Sequence, residues 1–210
     1  MFKITWIALA LVAVFLAFNL AWRGASRKWS IPCPAFLAWS LENPVFQRFN
    51  GTQTTLARLG LRPGQKVLEI GPGPGRLLLP AARQVLPEGE AMGIEIQPAM
   101  IKRLQAAAKR AGVTNLTAIQ GDAAQAHVPA ASFDVVFLCT ALGEITDRTA
   151  ALAQCFRALK PGGVLSITEM FGDPHYQSRQ VVRRLAEGAG FHLDGVRGGW
   201  WFFTASFIKP

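Results

Sequence analysis

A chain of 210 residues, half of them apolar, is long enough for one domain with a sizeable core plus an appendage, and its mean hydropathy of +0.24 is high for an ordinary globular enzyme. The net charge of +9 raises the question of nucleic acid, but residues 1–65 carry seven Lys/Arg against the single acid Glu42, while residues 66–210 carry fifteen against twelve; an excess gathered in the first third argues against a nucleic-acid partner. The three cysteines, Cys33, Cys139 and Cys155, form no C-x-x-C pair and have no His at ligand spacing, a pattern that argues against structural zinc and fits a reducing compartment.

Ile4 to Trp22, ITWIALALVAVFLAFNLAW, is nineteen residues without a charge, enough at about 1.5 Å per residue to cross most of a bilayer's hydrocarbon. Trp6 and Trp22 sit near its ends, where amphipathic rings favour the headgroup level. The stretch is predicted to be a transmembrane helix rather than a cleaved secretory signal, because it is long for a signal's apolar region and Arg23 stands where small cleavage-site residues belong. Lys3 precedes it and Arg23, Arg27 and Lys28 follow it, so the cation bias predicts a single-pass protein of the cytoplasmic membrane with its C-terminal domain facing the cytoplasm. On this reading residues 1–28 are an anchor whose basic flank meets membrane lipids. Residues 29–61 follow as an aromatic-rich linker or lid, with short helices at 34–42 and 44–51 opened by prolines and a third reaching Leu61. Residues 62–210 form the main domain.

That domain opens on Lys66 to Pro80, KVLEIGPGPGRLLLP. An apolar run, alternating Gly and Pro, and then a leucine-rich helical pattern read as strand, tight turn and helix. Gly71, Gly73 and Gly75 let a ligand lie against the backbone, with the amides of the next helix facing it. Glu69 beside such a turn repels a phosphate and suits an ammonium group. A dinucleotide fingerprint needs glycine where Arg76 stands, and the Gly-Lys-Ser/Thr of a P-loop is absent. The remaining pattern, E-x-G-x-G-x-G at the end of a first strand, resembles motif I of the class I S-adenosylmethionine (SAM) dependent methyltransferases.

Farther along, Ala91 to Glu95 is a second strand ending in an acid twenty residues beyond Gly75, a spacing that NAD and SAM folds share. Gln97 to Gly112 is a helix with Met100, Ile101 and Leu104 on one side and a solvated stripe of Lys102, Arg103, Lys109 and Arg110 on the other. Leu116 to Ile119 makes a third strand, followed by Gly121-Asp122-Ala123, and Val135 to Leu138 is apolar on both faces and so central. Thr149 to Leu159 is a helix that Lys160-Pro161-Gly162-Gly163 ends before the strand Val164 to Thr168. Phe191 to Val196 and Trp200 to Ile208 read as a hairpin around Gly198-Gly199.

Five ordered features (the Glu69 turn, Glu95, Asp122, F-D-V-V-F and L-K-P-G-G-V-L) resemble the ubiquinone/menaquinone and small-molecule branch of the same family. The resemblance implies an α/β fold with a doubly wound, mostly parallel seven-stranded sheet and an antiparallel C-terminal edge hairpin. It also implies SAM as the cofactor. Glu69 then holds the methionine ammonium, and Gly71, Pro72, Gly73 and Gly75 give the methionine part close approach. Glu95 takes the ribose, and Ile96, Asp122 and Ala123 frame the adenine, with Cys139 on the wall after the fourth strand. The loops after the fourth and fifth strands should border the acceptor. They supply Glu144, Glu169, Asp173 and His175 as base candidates and Tyr176 as an orienting group, with no metal ligand set. The expected activity is methyl transfer to a small lipophilic acceptor at the membrane surface. The alternatives are a phosphatidylethanolamine-type N-methyltransferase and a non-catalytic SAM-binding scaffold.

Overall fold

A computed structural model describes residues 51–210 together with residues 6, 10, 13, 14, 17, 18, 20–25 and 33. Helix α1 (Thr52–Leu59) leads into strand β1 (Lys66–Ile70), helix α2 (Leu78–Gln84), β2 (Glu90–Glu95), α3 (Pro98–Arg110), β3 (Leu116–Gln120) and β4 (Phe133–Cys139). A 3-10 turn at Leu142–Glu144, helix α4 (Arg148–Ala158), β5 (Leu159–Met170), α5 (Arg179–Gly188), β6 (His192–Gly198) and β7 (Phe202–Ile208) complete the order. The strands form a seven-stranded sheet in the order β3-β2-β1-β4-β5-β7-β6. The first five run parallel, and β7 is antiparallel to both of its neighbours.

The doubly wound character follows from side chains that alternate along the strands. On β4, Val135, Phe137 and Cys139 join a cluster with Leu56, Leu78, Val85 and Leu104 from α1, α2, the end of α2 and α3. Val136 and Leu138 point the other way, into a cluster with Leu152 and Cys155 of α4, Val182 and Ala186 of α5, and Phe203 and Phe207 of β7. Burying each large side chain contributes about 1.5–3 kcal/mol. The last strand, with Phe203, Ala205 and Phe207 all in that second cluster, is therefore as firmly held as the central ones.

Local chemistry places the element ends. Asp147 caps α4, its carboxylate accepting from the Ala150 amide at 2.9 Å, and the Ser178 hydroxyl accepts from Val181 at 3.4 Å at the start of α5. Asp134 does more than start a strand: it accepts from the Lys66 amide at 2.8 Å and pairs with Lys160 at 2.6 Å, tying the lower ends of β1, β4 and β5 together. The expected turn at residues 160–163 lies inside β5 as an irregularity, because Phe133 pairs with Leu159 whereas Val135 pairs with Val164. Helix α5 has no counterpart among the sequence expectations.

The N-terminal transmembrane helix must be corrected. Among the described residues no helix is long and apolar enough to cross a membrane. Residues 20–25 are helical, and the Arg23 guanidinium in that turn lies over the Phe171 ring at 4.7 Å and donates to the Phe171 carbonyl. The single-pass placement in the cytoplasmic membrane, and the contact with membrane lipids through that helix, fall with the span. The expected helices at 34–42 and 44–51 lie outside the described residues except for Gly51.

Candidate active site

The C-terminal ends of β1, β2, β3 and β4 open into a cleft of about 290 Å³, close to the lower bound of the roughly 300–1,000 Å³ of small-molecule sites. It sits where the strand order reverses, between β1 and β4, which is where sheets of this kind bind ligands. Glu69, Gly71, Pro72, Gly73, Glu95, Ile96, Asp122, Ala123 and Cys139 all line it. Gly75 does not line it. With φ +95°, a Cβ there would stand 2.5 Å from Leu104 Cδ1, so this glycine lets the turn close down on α3. Gly73, at φ +54° with open space where a Cβ would point, leaves the turn's backbone bare toward the cleft.

Two carboxylates give the cleft its character. Glu69 is buried, and its Oε2 has no hydrogen-bond partner among the described residues. Burial pushes its carboxyl up to about 8, opposed by the nearby Arg76 guanidinium and reinforced by Glu95. A buried carboxylate oxygen without a donor is an unmet demand for a cation. Glu95 is also held above the usual carboxylate range by burial. Its two oxygens are already engaged, accepting from Gly73 N at 3.0 Å and Gln97 N at 2.9 Å. It thereby fixes the glycine turn while keeping lone pairs for further donors. Asp122 accepts from Ala124 N at 2.9 Å and closes the tight turn that places Ala123 on the wall. Ile96, 51% exposed, presents an apolar face at the rim.

The cleft has walls that the sequence did not announce. Arg76, met in the sequence only as a missing glycine, donates to Thr52 Oγ1 at 2.9 Å and to Cys139 Sγ at 3.1 Å, clamping α1 to the end of β4. Thr140 follows Cys139 with φ +52°, a left-handed conformation that a β-branched residue rarely takes; no sequence signal marks it. Cys33 crosses from one side to the other: its carbonyl accepts from Gln97 Nε2 at 2.9 Å, and its backbone amide donates to Glu144. Burial pushes the Cys33 thiol up to about 11, which leaves it unreactive.

The five candidates for the chemistry divide. Glu144 lines the cleft, as does Asp173. Burial, with Asp173 beside it, pushes the Glu144 carboxyl up to about 7, while His175 pulls it back. His175 and Tyr176 instead line a neighbouring cavity of about 450 Å³ with Arg23, Arg148 and Phe171. His175 Nδ1 lies 3.8 Å from Glu144 Oε1 and 3.5 Å from Asp173 Oδ1. The Tyr176 hydroxyl donates to the Trp200 carbonyl at 2.6 Å. Glu169 lines neither cavity; it is buried, its Oε2 accepts from Gln177 N at 3.1 Å, and burial holds its carboxyl well above the usual range. No group of three or more His, Cys, Asp or Glu suited to a metal ion occurs among the described residues.

An ammonium-seeking carboxylate, a bare glycine turn, a second carboxylate after β2 and an Asp–Ala turn after β3 suit the amino-acid, sulfonium, ribose and adenine parts of SAM in order. Phosphates do not suit the two acids. Fold and cleft together define the chain as carrying a class I SAM-dependent methyltransferase domain. The comparisons agree: residues 67–163 match the family model described as a methyltransferase domain. The chain is similar to the ubiquinone/menaquinone biosynthesis C-methyltransferase UbiE of Shewanella oneidensis, 33% identical over 128 residues that cover 60% of this chain and 51% of that protein. It is also similar to the nocamycin O-methyltransferase of Saccharothrix syringae, 36% identical over 107 residues that cover 51% and 38%. The chain thus spans about half or less of the length of these relatives. A SAM-dependent methyltransferase from Aquifex aeolicus shares the fold with a TM-score of 0.79 at 19% identity, covering 85% of this chain and all of that one.

Proposed function

We propose that the protein transfers a methyl group from SAM to a small, lipophilic acceptor, with Glu144 as the base that takes the acceptor's proton. The observation that carries this reading is the buried Glu69 Oε2 without a donor, opposite the bare Gly73 turn and beside Glu95. When bound, SAM supplies an electrophilic methyl on a sulfonium. The chain's own residues bind it, hold it and shut out water. Glu69 pairs with the ammonium, Glu95 accepts from the ribose hydroxyls, and Ile96 and Ala123 close on the adenine. Cys33, bonded to Gln97 on one side and Glu144 on the other, bridges two walls of the cleft.

Glu144 is the candidate base closest in character to what the chemistry needs, since a carboxyl near 7 lies close to the working pH. A lipophilic acceptor is favoured by the apolar rim beyond the β5 loop, where Phe171 (44% exposed) stacks edge-on against Trp200 (67% exposed) with ring centres 5.2 Å apart. The UbiE relatives, named for ubiquinone and menaquinone biosynthesis, point the same way.

The test is incubation of purified protein and methyl-tritiated SAM with small-molecule extracts, partitioned into organic and aqueous fractions. Label is expected in the organic fraction. Label confined to water-soluble products overturns the lipophilic acceptor. Binding of S-adenosylhomocysteine without labelling of any extract supports a SAM-binding scaffold instead.

A further inference from the structure

We propose that the second cavity, beside the 3-10 turn, is a binding site for a small organic anion, an apolar body that carries a carboxylate or a phosphate. This site stands apart from the cofactor's and exists whatever the cleft binds. The two spaces are lined by opposite charge. Around the cleft stand Glu69, Glu95, Asp122, Glu144 and Asp173, with Arg76 as its one cation among the described residues. Around the cavity of about 450 Å³ stand Arg23 and Arg148, and no carboxylate among the described residues lines it. A bare ion would leave most of that volume empty. The size falls instead within the roughly 300–1,000 Å³ of small-molecule sites.

Arg148, at the start of α4, is the fixed part of the site. Its Nε donates to the Leu142 carbonyl at 3.1 Å and its Nη2 to the Gly143 carbonyl at 2.9 Å, which sets the plane of the guanidinium and leaves Nη1 for a ligand. Carbonyls answer its donors and not its charge. Among the described residues no carboxylate forms an ion pair with it, and the acid that feels its field, Glu169, is driven toward the neutral form by burial. A part-buried guanidinium without a counter-ion is an unmet demand for an anion. Arg23 brings a second guanidinium, which lies over the Phe171 ring at 4.7 Å and donates to the Phe171 carbonyl. Phe171 and Tyr176, stacked edge-on with ring centres 5.5 Å apart, give the cavity an apolar wall, and the Tyr176 ring is pinned through its bond to the Trp200 carbonyl. The Ser178 hydroxyl, which accepts from the Val181 amide at 3.4 Å, keeps its own proton to donate. Guanidinium forks match the paired oxygens of carboxylates and phosphates and hold them by charge-assisted bonds that a neutral ligand cannot make. These walls therefore select a molecule with both an oxyanion and an apolar body.

The chain has one tyrosine, Tyr176, so the ring resonances of the full chain labelled at tyrosine report on this cavity. They are followed as benzoate, phenyl phosphate or benzamide, the uncharged match of benzoate, is added with and without S-adenosylhomocysteine. Benzoate and phenyl phosphate should shift the Tyr176 signals to saturation in both states. Benzamide should bind about 10- to 100-fold more weakly, the loss expected when bonds to a charged group become neutral. Arg148→Gln should weaken benzoate by the same factor, and so should Arg23→Gln, which lies outside the turn that Arg148 also fixes. Benzamide binding as tightly as benzoate overturns the site. So do shifts without a plateau that chloride reproduces at equal ionic strength, and both results are read in the unaltered chain, whether or not a variant folds. Benzoate affinity untouched by both substitutions overturns it as well. Loss of the benzoate shift on saturation with S-adenosylhomocysteine puts the anion in the cleft and also overturns the site. Failure of S-adenosylhomocysteine to bind overturns the function proposed above, while the anion titration still decides the cavity. With an acceptor from the labelling screen, benzoate that raises KM at constant kcat assigns the site to the acceptor's own acidic group. Benzoate that changes kcat at constant KM assigns it to a separate organic anion, and either pattern upholds the site.

Discussion

Replacing Glu69 by Gln separates binding from folding, because the two effects have opposite signs. For binding, the substitution turns a charge-assisted hydrogen bond to the ligand's ammonium into a neutral one. Bonds to charged groups are worth about 1.5–3 kcal/mol, and the amide oxygen keeps part of that, so S-adenosylhomocysteine should bind about 10- to 30-fold more weakly by calorimetry. For folding, the Glu69 carboxyl is raised from 4.5 to about 8 by burial. A carboxyl raised in the folded state favours folding most below its unfolded value, and that advantage is lost as pH rises through about 8. At pH 7 the folded carboxyl is mostly protonated, and the proton it must take up on folding costs on the order of 3 kcal/mol. Gln removes this cost but leaves its own amide to be satisfied. The ligand-free variant should therefore melt a few degrees above the wild type at pH 8, at about 2–4 °C per kcal/mol, and the gap should close by pH 5. Wild-type affinity should rise between pH 6 and 8 as the carboxylate ionises, and the variant's should not. Equal affinity for both proteins, or a variant that melts lower at pH 8, would refute the assignment of Glu69 to the ammonium.

Glu95→Ala removes the acceptor for two backbone amides as well as for the ribose. It should lower the melting temperature by about 2–12 °C, the equivalent of about 1–3 kcal/mol, and abolish measurable S-adenosylhomocysteine binding. Gly75→Ala should destabilise by more than Gly112→Ala in urea unfolding: both have positive φ, but only Gly75 meets Leu104 and Leu79, whereas a Cβ at Gly112 meets nothing within 4 Å. Asp134→Ala should cost more than Lys160→Ala in the same assay. The Lys160 side chain is 44% exposed, so its ion pair is worth under about 1 kcal/mol, whereas Asp134 also holds the Lys66 amide.

The glycine turn, the acids at Glu95 and Asp122 and the two-faced apolar β4 are legible because each imposes its requirement on a few adjacent residues. Helix α5 was not, since little of it meets the core: only Val182 and Ala186 are buried, and the signal available was Ser178 before Val181, Val182 and Leu185. Arg76 was legible only as a residue that ruled out a nucleotide fold, because its partners Thr52 and Cys139 are 24 and 63 residues away. His175 and Glu144 were each legible as titratable loop residues, yet nothing in the sequence says that they meet 3.8 Å apart, with Gly143 packed on the His175 backbone. The apolar run at residues 4–22 shows the converse limit: its hydropathy supplied the expectation of a span, whereas no helix among the described residues is long and apolar enough to cross a membrane.

The placement of β7 bears on how the domain comes into being. This strand is later in sequence than every other, yet it sits inside the sheet, with β5 on one flank and β6 on the other. Until it leaves the ribosome, β5 presents an open edge and β6 has no partner to join. Asp173, in the loop that follows β5, lines the cofactor cleft, so ligand capture should come only after synthesis has reached Ile208. Truncations that stop short of Phe202 should yield insoluble chains rather than a smaller working enzyme.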